Sequence, residues 1–228
     1  ISQEDVIEMV SQTVFAVSVD ETRFFMNGVF LETDEDKLVM VATDGRRLSY
    51  ISKSLPEGMD SFSGVIIPPK ALNLIRKLAS GEGQIQVAVT DKHVFFQFEN
   101  RNIASALIDG QFPNYRRVIP ETQYHEALVS KAELNEALKR VSLLVEKSHR
   151  IYVELSNNLL QLSSEESEIG VAREAIPCTY DGPEITIALN YLYLVEPLRV
   201  IDSEQISIQF TEANKAITMY SEPRTEYF

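Results

Sequence analysis

Val41-Ala42-Thr43-Asp44-Gly45-Arg46-Arg47-Leu48 runs from an apolar strand-like stretch, through an Asp-Gly pair, to two cations and a leucine. Asp-Gly is a hairpin signal, because glycine takes positive φ at little steric cost. The segment therefore predicts strand, tight turn, strand. Working outward, Leu38–Ala42 and Arg47–Ser52 form the two arms, and Arg23–Glu32 reads as a further strand before them. Val65-Ile66-Ile67 then leads into a helical pattern over Pro68–Ala79, where two prolines suit a first turn whose N–H groups have no partner. Ile85–Val89 and Val94–Phe98 follow, separated by the turn Thr90-Asp91-Lys92.

The second half repeats this grammar. Ser2-x-x-Asp5 and Ser130-x-x-Glu133 each precede apolar residues at helical spacing, Val6, Ile7, Val10, Val14 and Phe15 in one case and Leu134, Ala137, Leu138, Val141 and Leu144 in the other. Both read as capping boxes opening an amphipathic helix. Strand-like runs at Ile151–Leu155, Leu159–Ser163 and Gly170–Cys178 answer those of the first half. Ile185-Thr186-Ile187, a helix over Asn190–Val200 with Asn190 suited to its N-cap, and strands at Ile206–Phe210 and Ala216–Tyr220 answer the rest, with Glu212-Ala213-Asn214 as the turn. The fold class expected is α+β: two tandem domains, each with two helices packed on antiparallel sheets of roughly six to eight short strands. Pro120–Glu126 is the natural boundary, giving domains 1–122 and 123–228.

Composition narrows the function. The 228 residues are 44% hydrophobic and 24% charged, as in ordinary globular proteins. No apolar run approaches the roughly 20 residues that cross a bilayer. The start, Ile1-Ser2-Gln3-Glu4-Asp5, has neither an initiator methionine nor the basic-then-apolar order of a signal peptide, so a fragment or processed chain is expected. Cys178 is the one cysteine, which forms no internal disulfide and fits a reducing cytoplasm; a small residue in the core explains it. The net charge of −13 opposes DNA binding unless the cations gather on one surface. His93, His125 and His149 are scattered, no nucleophile elbow or phosphate loop is present, and Gly81-Glu82-Gly83 reads as a turn after a helix. Asp34-Glu35-Asp36 reads as a solvated hairpin tip, and the turn accounts for Asp44. Neither an enzyme nor a cofactor nor a metal site is expected.

Val41–Leu48 is answered by Phe112-Pro113-Asn114-Tyr115-Arg116-Arg117-Val118-Ile119-Pro120. In this order, and inside the repeat, the two segments resemble the two signatures of the bacterial DNA polymerase III β subunit family, the replicative sliding clamps. The resemblance spans the whole chain and corresponds to the family's second and third domains, without the first. It implies a mechanical function: a head-to-tail homodimeric ring around double-stranded DNA, without sequence preference, in the cytoplasm. The ring would tether the polymerase III catalytic subunit, be opened by a clamp loader, and dock other proteins that carry a short hydrophobic motif.

Carried over position by position, the resemblance implies a peptide pocket between the two domains. It would take Met26, Thr43, Gly45, Arg46, Arg47 and Leu48 from the first segment, Pro113, Arg117 and Val118 from the second, and Asn190, Tyr193, Asn214 and Ala216 from the other domain. Leu48, Met26, Val118 and Pro113 are apolar walls of the kind that accept anchors from an extended peptide, with arginines at the rim. For DNA it implies Arg23, Phe24 and Phe25 on an approaching loop and Lys70 at a helix start, with Arg76, Lys77, Lys131 and Lys139 placed to meet phosphates. Arg140, Leu143 and Leu144 occupy the ring-interface position. The chain departs from the family at Arg46, where histidine is common, and at Ala216, where a small hydroxyl residue is common. It is short between Val145 and Ile151, and it ends at Phe228, before the expected Met-Pro-Met-type tail. Two other classes remain open on the residues alone: an α+β peptide-binding module that never encircles DNA, and an acidic-site hydrolase using Asp34–Asp36 or Asp44.

Overall fold

In the computed structural model, which describes residues 1–168 and 170–228, the chain divides into two compact units. The first comprises Ile1–Val118 with Tyr227, the second Ile119–Glu226 with Phe228. Every strand pairing is antiparallel, as the expected α+β class requires.

Unit 1 opens with helix α1 (Gln3–Thr13), whose N-cap Ser2 accepts the Asp5 N–H through its hydroxyl at 3.0 Å. A four-stranded sheet follows in the order β3-β2-β1-β4, from β1 (Val29–Asp34), β2 (Lys37–Thr43), β3 (Leu48–Ser54) and β4 (Val65–Ile67). Helix α2 (Pro69–Leu78) starts on Pro69, and β5 (Gln86–Val89), β6 (His93–Phe98) and β7 (Arg101–Ala106) form a second sheet. Val6, Met9 and Val10 of α1 and Leu72 and Ile75 of α2 are buried. Each such side chain contributes about 1.5–3 kcal/mol by leaving water.

Strand pleating decides which residues meet the helices. Met40 faces α1, since its sulfur receives the Thr13 hydroxyl at 3.6 Å. Its neighbours two residues away, Leu38 and Ala42, share that side. The opposite side of the sheet carries the row Phe30–Val41–Tyr50, one residue from each of β1, β2 and β3. Yet β2 is buried from Leu38 through Thr43, on both faces. A second cover must therefore lie on the non-helical face.

Unit 2 repeats the plan with one continuous sheet, β12-β9-β10-β11-β8-β13-β14. Its strands are β8 (His125–Ser130), β9 (Arg150–Ser156), β10 (Leu159–Ser164), β11 (Arg173–Thr179), β12 (Ile185–Asn190), β13 (Gln205–Phe210) and β14 (Thr218–Glu222). Helix α3 (Lys131–Val141) is capped by Ser130, which accepts the Glu133 N–H at 3.4 Å, and α4 (Leu192–Leu198) follows β12. The order β11-β10-β9-β12 reproduces β3-β2-β1-β4, so the repeat is one of topology as well as sequence. Where unit 2 has β8 beside β13, unit 1 has a Ser2–Gln84 bridge and the Ile85 N–H bonded to the Ile1 carbonyl.

Three expectations are corrected. Arg23–Glu32 is a strand only from Val29; Glu21–Met26 winds into 3₁₀ turns, started by Asp20 accepting the Thr22 N–H at 3.0 Å. The strand read at Gly170–Cys178 begins at Arg173. Asn190 ends β12, and Tyr191 is the N-cap of α4, although the Asn190 side-chain oxygen Oδ1 does accept the Leu192 N–H at 2.9 Å. Strands β7 and β8 were not anticipated.

Candidate functional site

The Asp44-Gly45 turn builds one half of the unit 1 site. The Asp44 carboxylate accepts the N–H groups of Arg46 (2.8 Å) and Arg47 (3.0 Å), and the Thr43 hydroxyl accepts that of Gly45 at 3.0 Å while donating to the Arg47 carbonyl at 2.6 Å. Gly45 sits at φ +86°, and a Cβ there would come within 2.6 Å of Arg23 Nη1. Glycine is thus required for the backbone and for the close approach of the guanidinium. Met26 is buried, with its methyl 3.9 Å from the same point. Met26, Arg23 and Gly45 therefore form one cluster, which joins a residue expected at DNA to two expected at the peptide.

The other half is the segment Phe112–Val118. Phe112 stacks on Phe30 with ring centroids 4.8 Å apart and planes 7° from parallel. Tyr115 packs against Phe30 (6.3 Å) and Tyr50 (6.1 Å), and its hydroxyl donates to Glu32 Oε1 at 2.6 Å. Arg116 donates to the same Glu32 oxygen at 2.6 Å and to Asp34 at 2.9 Å, with its guanidinium 4.8 Å from the Tyr115 ring. This segment is the second cover on β2. Burial, and then the Glu32 carboxylate that accepts its proton, push the Tyr115 phenol well above the ordinary range. Past this anchor the side chains face solvent: Val118 is 63% exposed, and Arg117 is exposed. Leu48 lies two residues before Tyr50, on the same sheet face, and is half-buried.

Not every expected residue is available to a ligand. Arg47 donates to the Phe15 carbonyl at 2.7 Å, pairs with Asp44 at 3.2 Å and lies 5.5 Å from the Phe15 ring. It holds the turn to the end of the first helical segment. Arg46 is exposed. In unit 2, Tyr193 is half-buried in α4, Asn214 and Ala216 are exposed before β14, and the Ala216 carbonyl accepts from Gln123 at 3.1 Å.

The expected DNA cations fall into two groups. Among the described residues Lys70, Arg76 and Lys77 make no ion pair, and the last two sit in the final turn of α2, where the helix dipole favours cations. The others are engaged. Arg23 pairs with Asp20 at 2.9 Å and Lys139 with Glu136 at 2.7 Å, while the Lys131 ammonium bonds the Ile201 carbonyl; Arg140, expected at the ring interface, pairs with Glu174 at 2.9 Å. Phe24 is 52% exposed and meets Phe25 edge to face at 5.8 Å. Leu143 is 81% exposed and Leu144 half-buried. The described residues hold no cluster of metal-binding side chains, and burial pushes the Cys178 thiol up. A groove of about 590 Å³ along β5, lined by Met59, Phe62, Ile85 and Val87 among others, contains none of the expected site residues.

The fold and site define a tandem-repeat α+β protein whose two signature segments both attach to the first sheet, one as the turn joining β2 to β3 and the other packed on Phe30 of β1 and Tyr50 of β3. Residues 1–114 match the family model of the DNA polymerase III beta subunit central domain, and residues 116–227 that of its C-terminal domain. The chain belongs to the DNA polymerase III beta subunit family, the sliding clamps of replication. It is 48% identical to the beta sliding clamp of Treponema pallidum (strain Nichols) over 98% of this chain and 62% of that one. Among solved structures it is similar to the clamp of Borrelia burgdorferi in complex with a natural product (TM-score 0.92, 31% identity, 100% of this chain and 60% of that one). It is also similar to the Pseudomonas aeruginosa clamp bound to griselimycin (TM-score 0.93, 28% identity, 100% and 62%). The chain thus spans about 60% of the length of these relatives.

Proposed function

We propose that the protein to which this chain belongs is a non-catalytic processivity factor of the bacterial cytoplasm. It closes as a head-to-tail homodimer around duplex DNA and tethers the polymerase III catalytic subunit, the clamp loader and other motif-bearing proteins. The domain boundary is placed at 122/123. Peptide contacts in the first domain are Met26, Thr43, Gly45, Arg46, Leu48, Pro113, Arg117 and Val118, with Arg47 supporting the turn. In the second domain they are Asn190, Tyr193, Asn214 and Ala216.

The observation that carries this reading is the juxtaposition on one sheet face of half-buried Leu48 with a rigidly anchored segment that leaves Val118 and Arg117 exposed. An apolar floor beside unspent donors suits an extended peptide with a few anchors. Lys70, Arg76 and Lys77 are the cations best placed for phosphates, since Arg23 and Lys139 are paired with carboxylates and Lys131 is hydrogen-bonded to a backbone carbonyl. Contacts of this kind hold DNA by charge and read no sequence, which sliding requires. Arg140, Leu143 and Leu144 belong to the ring interface, where a leucine as exposed as Leu143 is covered by a partner.

The test is topological. Full-length protein loaded on nicked circular DNA is expected to stay bound through gel filtration at moderate salt and to be lost when the circle is cut. Loss from both forms, or retention on both, overturns the ring; peptide binding alone would then leave a docking module that never encircles DNA.

A further inference from the structure

We propose that Tyr115 and Glu32 form a positioning latch that fixes the peptide-contacting residues Pro113, Arg117 and Val118 against the sheet; the proposal rests on the peptide-binding reading above. Three observations in unit 1 carry it. The segment alternates in role: Phe112 and Tyr115 are 7% and 3% exposed, whereas Arg117 and Val118, two and three residues later, face solvent. Its polar attachment is concentrated on one carboxylate, since Glu32 Oε1 accepts both the Tyr115 hydroxyl and Arg116, each at 2.6 Å. The rings that receive it, Phe30 on β1 and Tyr50 on β3, lie in one cross-strand row beside Leu48.

The physical consequence follows from the chain's own geometry. The 3₁₀ turn Tyr115–Arg117 is three residues long, with backbone bonds from Val118 to Tyr115 (3.1 Å) and from Arg117 to Asn114 (3.4 Å). A turn that short does not hold itself in place. Its orientation comes from Tyr115, whose 83-residue separation from Glu32 makes the bond a tertiary tie. Without the tie, Val118 and Arg117 sample several positions and a peptide must order them on binding. The cost then appears in affinity with no contact to the peptide removed.

Three variants separate the latch from general stability. Tyr115→Phe keeps the ring and deletes the donor. Glu32→Leu deletes the acceptor and the Arg116 pair. Glu32→Gln keeps an oxygen for Tyr115 while Arg116 retains Asp34. The probe is a fluorescent peptide containing Gln-Leu-Ser-Leu-Phe, measured well below the melting temperature, with hydrogen exchange of the 113–118 amides in parallel. Tyr115→Phe and Glu32→Leu are expected to raise Kd about 5–20-fold and to speed exchange in that segment alone. Glu32→Gln is expected to stay within about 3-fold of wild type, as rescue by a retained acceptor requires. Wild-type binding with unchanged Kd and exchange in both Tyr115→Phe and Glu32→Leu overturns the latch and leaves the peptide site standing. A wild-type protein that binds no peptide overturns the peptide site itself, and the latch with it.

Discussion

Gly64→Ala tests the packing that supports the candidate site. A Cβ at Gly64 would stand 2.0 Å from Phe30 Cζ and 2.4 Å from Cε2. Carbon atoms pack at about 3.5–4.0 Å, so the ring tip must retreat by about 1.5 Å. It has little room, because its face is stacked on Phe112 at 4.8 Å and Phe112 is itself 7% exposed. Overpacking of a filled site costs about 1–3 kcal/mol. Loss of glycine's freedom in the unfolded chain offsets about 0.4–1 kcal/mol of this, since Gly64 is not in the left-handed region. The expected net loss is about 1–2 kcal/mol. It is read as the shift in urea unfolding followed by hydrogen exchange of the β2 amides, which report unit 1 alone. The Phe30→Leu background removes the ring tip, and there the cost of Gly64→Ala should fall below about 0.5 kcal/mol. A Gly64→Ala protein as stable as wild type, or a penalty undiminished in Phe30→Leu, would refute the reasoning.

Other consequences concern caps and titration. Ser2→Ala and Ser130→Ala each remove an N-cap acceptor and should cost about 1 kcal/mol in chemical denaturation, with Gly in place of Ala costing less. The phenols of Tyr115 and Tyr227, both in unit 1 and both buried, are raised by desolvation, while in the unfolded chain they ionise near pH 10. Their stabilising share is complete below that pH and lost above it, at about 1.4 kcal/mol per pH unit per tyrosine; Tyr115→Phe should flatten the alkaline limb by one such share. Glu126 is held below the usual carboxylate range by hydrogen bonds from Ser207 and then Gln209. Its contribution is therefore present above the unfolded value of about 4.3 and lost as the pH falls through the folded value, so Glu126→Gln should remove part of the acid destabilisation of unit 2.

The repeat was legible because its signals are local. Ser-x-x-acid before an apolar stripe marks α1 and α3, and the prolines at 68 and 69 mark the start of α2. Asp44-Gly45 fixed a turn, and the turn is there. Arg23–Glu32 misled because Phe24-Phe25-Met26 looks like a strand. The useful signal was Asp20 two residues before Thr22, a side-chain cap that competes with extended structure. Strands β7 and β8 carry few large apolar residues; β7 closes a local hairpin with β6, whereas β8 is held by a neighbour far along the chain, His125–Ser130 pairing with Phe210–Gln205. Of the site, the residues with outward roles resembled the family's motifs, whereas the residues that hold them did not stand out. Glu32, Tyr50 and Phe30 look like ordinary sheet residues until Tyr115 is placed on them, and no local pattern encodes a bond across 83 residues. Pairing was partly hidden: helical spacing offers Glu136 to Lys139, but only the fold shows that Glu174 lies within reach of Arg140 and the Ile201 carbonyl within reach of Lys131.

The most direct measurement is equilibrium binding of the Gln-Leu-Ser-Leu-Phe peptide to wild type and to Leu48→Asp, followed by fluorescence anisotropy, with circular dichroism to establish that both are folded. Leu48 is half-buried at the start of β3, so an aspartate there places a charge against the apolar floor without opening the core. The account predicts saturable binding by wild type and at least a 10-fold loss in the variant, since an unpaired charge in such a site costs upwards of about 1.4 kcal/mol. Equal affinity in two folded proteins would contradict the peptide site, and with it the docking role proposed for this chain.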